Sequence, residues 1–163
     1  QAGRYARAAV IFSVAAIEAA SNDALVTVQD LLADSWPAEC VGEPPWVYFR
    51  RLSRASVTRL LERGRLEKKV DYLLRRVVSL GPRWWPSDDF ELHLRQLVQV
   101  RNRIVHMKSL WQPKKMASVL NPKQITYVAK LGIETAKEYV SLLEEAFSEM
   151  KLPIQAINYD LET

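Results

Sequence analysis

The residues with most to offer chemistry are the run Arg101-Asn102-Arg103-Ile104-Val105-His106. On a helix, at about 100° per residue, Asn102 and His106 share one face and lie about 6 Å apart along the axis. An asparagine so placed can hydrogen-bond an imidazole nitrogen and fix the ring's tautomer and direction. A histidine held this way exchanges protons near neutral pH, since its unperturbed pKa is about 6.5. The arginine beside it can clamp an anion with its fork of N–H donors. The same spacing also fits a packed histidine on an ordinary amphipathic helix, so the residues alone leave both readings open.

Arg101 is the unusual member. It falls in the stripe Leu94, Leu97, Arg101, Ile104, which otherwise points toward a core. A guanidinium cannot be discharged in a protein, so a core-facing one needs a partner. Glu18 is a similarly placed acid on the alanine-rich face of the first apolar stretch. The expectation is that Glu18 and Arg101 meet between helices and hold the arginine's fork, with a broken pair costing about 3–5 kcal/mol. His93 has no comparable neighbours and is expected at the surface.

The rest of the composition narrows the chemistry. One cysteine, Cys40, excludes an internal disulfide framework and every multi-cysteine metal site. Five glycines leave no glycine-rich phosphate loop, and two histidines build no histidine-rich metal centre. No metal and no cofactor are therefore expected. At 163 residues the chain is about one domain long and should bury roughly 70% of its unfolded surface. The expected organisation is one domain over 1–163. The apolar stretch Ala8 to Ala20 is shorter than the ~20 residues of a membrane span, and Glu18 interrupts it. The expected setting is soluble and cytoplasmic, away from membranes.

Charge is concentrated more than the net +4 indicates. Residues 50–83 carry 11 basic and 3 acidic groups, whereas residues 1–49 carry 2 basic and 6 acidic ones. A basic segment of this kind is either a solvated helix face or the electrostatic footprint of a polyanion binder. In the second case Arg50, Arg51, Arg54, Arg59, Lys68, Lys69, Arg75 and Arg76 are the candidate contacts.

Helical periodicity runs through nearly the whole chain. A first helix is predicted over about 4–34, with Ile11, Val14, Ala15, Glu18, Asn22 and Leu25 recurring every three or four residues. Trp36-Pro37 and Gly42-Glu43-Pro44-Pro45 mark a loop. A second helix follows over about 47–63, a break at Gly64, and a third over about 65–80, closed by Gly81-Pro82. Asp88 with Glu91 has capping-box spacing, Ser87 competing as cap, and starts a helix to about Lys108. Phe90, Leu94, Leu97, Val98, Ile104 and Val105 should face inward. Asn121-Pro122-Lys123-Gln124 starts the last helix, to about Met150, with Ile125, Val128, Tyr139, Leu143 and Phe147 inward. Between them, residues 110–120 read as a loop with Trp111 and Lys114-Lys115. No stretch alternates as a strand does, so the fold class is all-α: an up-and-down bundle of four to five helices.

Arg-Asn-x-x-x-His late in a helical bundle resembles the signature of the HEPN superfamily (higher eukaryotes and prokaryotes nucleotide-binding domains). The opening helix, from Arg7-Ala8-Ala9-Val10 to Glu18-Ala19-Ala20-Ser21-Asn22, is similar to the first helix of many bacterial members. The resemblance puts the motif's arginine on Arg101, its polar residue on Asn102 and its histidine on His106, with Arg103 at a variable position and Glu18 in support. It implies a metal-independent endoribonuclease acting as a homodimer, of the toxin–antitoxin or anti-phage kind, with an antitoxin or other protein as a further partner. It also allows a non-catalytic helical binding or dimerisation module, since other members keep the bundle without the activity. RNA cleavage suits the residues, because RNA carries its own nucleophile in the 2′-hydroxyl and needs no metal-activated water. A third use of such a bundle is a DNA- or nucleotide-binding adaptor working through the surface from Arg50 to Arg76.

Overall fold

Gly64 and Asn121-Pro122 punctuate the helices as the sequence predicts. In a computed structural model, which describes residues 2–32, 52–78, 86–106 and 121–150, those residues form five α-helices and no strand. We label them α1 (Ala2–Leu31), α2 (Arg54–Arg63), α3 (Leu66–Tyr72), α4 (Phe90–His106) and α5 (Pro122–Glu149). The predicted loop at 36–45, the start of the second helix, the predicted stop at Gly81-Pro82, the loop at 110–120, Arg50 and Arg51 lie outside the described residues.

Tertiary contacts group the chain into two compact units. The first joins Gln1–Glu18 to Pro86–Val140, and the second joins Ala19–Trp85 to Ser141–Thr163. In the first unit Val10, Val14 and Ile17 of α1, Phe90, Leu94 and Leu97 of α4, and Ile125, Ala129 and Tyr139 of α5 are buried. Phe90 stacks on Tyr139 with ring centroids 5.7 Å apart. Gly132 marks a close approach: a Cβ there would lie 2.7 Å from Leu97 Cδ2 and 3.2 Å from Ser13 Cβ. The buried Ser13 hydroxyl is satisfied within its own helix, donating to Ala9 O at 2.8 Å.

The first-unit caps follow hydrogen-bond supply. Asn121 Oδ1 accepts the Lys123 N–H at 3.0 Å, so the asparagine-proline start of α5 is the cap its sequence predicts. The start of α4 differs. Glu138 accepts both the Ser87 N–H at 2.8 Å and the Ser87 hydroxyl at 3.2 Å. A turn closed by Phe90 N–H to Ser87 O then delays the helix to Phe90, two residues past Asp88.

In the second unit Ala24, Leu25 and Val28 of α1, Val57 of α2, Leu66 and Val70 of α3, and Leu142, Leu143 and Phe147 of α5 are buried. The break at Gly64 is real: its backbone is extended and its N–H donates to Leu60 O at 2.8 Å. A side chain at Gly64 would collide with that same carbonyl oxygen. After Tyr72 the third helix widens into a π-helical turn, Leu73–Val77. That turn puts Leu73, Leu74, Val77 and the following Val78 all inside.

The core face of α1 is displaced from the predicted stripe by about one residue. Val10, Val14, Ile17, Ser21, Ala24 and Val28 are buried, while Ile11 and Glu18 are half-buried and Ala15 is exposed. In length and composition Gly3–Leu31 also meets what crossing a membrane requires, over more than the thirteen residues of the apolar stretch, and 44% of its apolar window is buried in the fold.

Candidate functional site

Helix α4 carries the motif, and its burial falls off toward its C-terminus. Leu94, Leu97, Val98 and Val100 are buried, Arg101, Asn102 and Ile104 half-buried, and Val105 and His106 exposed. Ile104 and Val105, predicted inward with the rest of the stripe, therefore lie at and beyond the edge of the core. Arg101 Nη1 donates to Asn102 Oδ1 at 3.1 Å, so the two motif residues are tied together. Asn102 thus holds the guanidinium of Arg101. His106 sits in the last turn of α4, one turn beyond Asn102 and about 40° round the helix from it. His93 is half-buried and not fully at the surface.

The expected interior pair is not made. Arg75–Asp71 and Arg95–Glu91 do pair, each within one helix and exposed. Glu18 and Arg101 both belong to the first unit, yet Arg101 bonds Asn102. The displaced face of α1 explains this. It leaves Glu18 at the margin of the core, where water solvates the carboxylate and no cation is required.

The basic segment resolves into different kinds of residue within the second unit. Arg54, Arg59, Lys68 and Arg76 are exposed and open to a polyanion, and Arg75, also exposed, is ion-paired with Asp71. Lys69 is not: only 5% of it is exposed, and its ammonium donates to Asn22 Oδ1 at 2.7 Å. It is thus removed from the candidate RNA contacts. Arg54, Arg59 and Lys68, joined by Arg63, line a groove of about 920 Å³ around the α2–α3 junction. Gln29 Nε2, donating to Thr58 Oγ1 at 2.8 Å, ties α1 to α2 at its wall. Sequence reasoning passed over Arg63, although its place in the last turn of α2 beside Gly64 was readable from the helix break.

Among the described residues no three His, Cys, Asp or Glu side chains gather closely enough to hold a metal ion. Compared with known proteins, the chain matches no family model, no curated protein and no solved structure.

Proposed function

We propose that this chain is a metal-independent endoribonuclease that works as a cytoplasmic homodimer, of the kind the HEPN-like motif implies. One observation carries the proposal: Arg101 and Asn102 are half-buried and bonded to each other, while His106 one turn on is exposed. A histidine that merely filled the core would be buried, and one that transfers protons must reach its substrate. In the proposed reaction His106 takes the proton of an RNA 2′-hydroxyl. That oxygen attacks the adjacent phosphorus, the bond to the 5′-oxygen breaks, and the departing oxygen receives a proton. The products are a 2′,3′-cyclic phosphate and a 5′-hydroxyl. Arg101, oriented by Asn102, stabilises the charge that builds on the phosphate oxygens.

One motif imidazole per chain is few for both proton transfers, and His106 of the partner subunit would supply the second. Twofold symmetry makes this the simplest assembly. Val105, apolar and 45% exposed beside His106, supports a seam at this end of α4. The exposed Arg54, Arg59, Lys68 and Arg76 supply cations for the RNA backbone.

The test is purified protein with a mixed RNA pool in excess chelator. Cleavage to the ends named above is expected, abolished in His106→Ala with the melting temperature unchanged. Activity that requires magnesium, or that survives in His106→Ala, overturns the mechanism. The second reading, a non-catalytic binding or dimerisation module, is favoured by the engagement of Arg101 with its own neighbour. Inactivity on every RNA would select it.

A further inference from the structure

We infer that a groove between α4 and the first turns of α5 binds one unpaired nucleotide of single-stranded RNA, its base stacked on Tyr127. The inference rests on the RNA-cleaving reading above and supplies a place where the substrate strand is held. The groove measures about 530 Å³, and its described lining residues all belong to the first unit. Tyr127 stands in it with 64% of its surface exposed. Arg103 and Lys123 bring two cations, and Gln96, Gln99 and Gln124 bring three amides.

Each component answers to part of a nucleotide. An exposed aromatic face stacks on any base, which is how unpaired nucleotides are commonly held. The cations suit the flanking phosphates. Each glutamine side chain offers both a donor and an acceptor, the combination that base edges and the 2′-hydroxyl present. A simple anion would use the cations and leave the ring and three amides idle. The α2–α3 groove makes the contrast: it gathers Arg54, Arg59, Arg63 and Lys68 but, among its described lining residues, no aromatic one, a lining suited to backbone phosphates.

The groove also points toward the proposed chemistry. Gln96, Gln99 and Arg103 recur on one face of α4, and His106 continues that face one turn further on. At about 100° per residue His106 lies about 60° round from Arg103 and so stays on the groove's side of the helix. A strand seated on Tyr127 and Arg103 therefore reaches His106 by following α4 toward its C-terminus.

The experiment measures binding of a short single-stranded oligoribonucleotide carrying 2′-fluoro groups, which lacks the nucleophile and cannot be cleaved. Cleavage of the unmodified oligonucleotide is followed in parallel. Tyr127→Ala should weaken binding roughly 5- to 100-fold without altering its salt dependence, and Tyr127→Phe should bind like the wild type. Arg103→Ala and Lys123→Ala should each flatten the salt dependence by about 0.7 in the log–log slope. Tyr127 is exposed, so unchanged thermal melts should accompany these variants. Wild-type affinity in Tyr127→Ala, equal losses in Tyr127→Ala and Tyr127→Phe, or no binding by the wild type would each overturn the groove. If that happens while unmodified RNA is still cleaved, the groove alone fails. Tyrosine-dependent binding without cleavage sustains the groove as an RNA site and removes the catalytic reading instead.

Discussion

Lys69 and Asn22 allow the sharpest test of how burial divides the basic segment. Lys69 is 5% exposed and its ammonium donates to Asn22 Oδ1 at 2.7 Å. A hydrogen bond to a charged group contributes about 1.5–3 kcal/mol, and leaving a buried charge short of acceptors adds its desolvation. Asn22→Leu should therefore cost about 2–3 kcal/mol. Lys69→Met keeps most of the apolar stem, removes the charge, and leaves a half-buried asparagine that water can satisfy, so it should cost no more than about 1.5 kcal/mol. In the double variant the stranded charge is gone, and the cost should fall below the sum of the singles by about 1.5–3 kcal/mol. For a chain of this size each kcal/mol moves the melting temperature by about 2–4 °C, so calorimetry resolves all three changes. RNA binding supplies the second readout: Lys68→Met should weaken it and Lys69→Met should not. Additive stabilities would refute the bond's energetic role. A greater affinity loss in Lys69→Met than in Lys68→Met would refute the claim that Lys69 is withheld from the nucleic acid.

Gly132→Ala should destabilise by about 1–2 kcal/mol in urea unfolding, because the new methyl would lie 2.7 Å from the buried Leu97 Cδ2 and crowding outweighs the gain in helix propensity. Glu18→Gln should unfold within about 0.5 kcal/mol of the wild type, since the half-buried carboxylate is not paired with Arg101. A loss of 3 kcal/mol or more would restore the interior pair. Burial pushes the Tyr72 phenol above its ordinary value of 10.0, against the lowering effect of Arg76. The unfolded chain then ionises first, so Tyr72 leaves stability untouched below about pH 10 and erodes it as pH rises through its folded value. Tyr72→Phe should remove that alkaline loss, as unfolding at pH 8 and near pH 10.5 would show.

Local signals in the sequence were enough for the helices themselves. The asparagine-proline start of α5 and the break at Gly64 each depend on a few neighbouring backbone groups, and a short stretch of sequence specifies those completely. The motif's helix was legible for the same reason, because Arg101, Asn102 and His106 lie within six consecutive residues. What periodicity could not fix was the rotation of a helix about its own axis. Small residues surround the core stripe of α1, so a one-residue turn changes its hydrophobicity little but moves Glu18 to the edge. Periodicity equally could not foresee that Glu138 would take the donors of Ser87, that Lys69 would turn inward to Asn22, or that Tyr127 would share a groove with Arg103. Each of these joins residues far apart in the chain. Helix formation is decided by neighbours in sequence; which charges meet water, and which rings stand open to a ligand, is decided by the helix packed alongside.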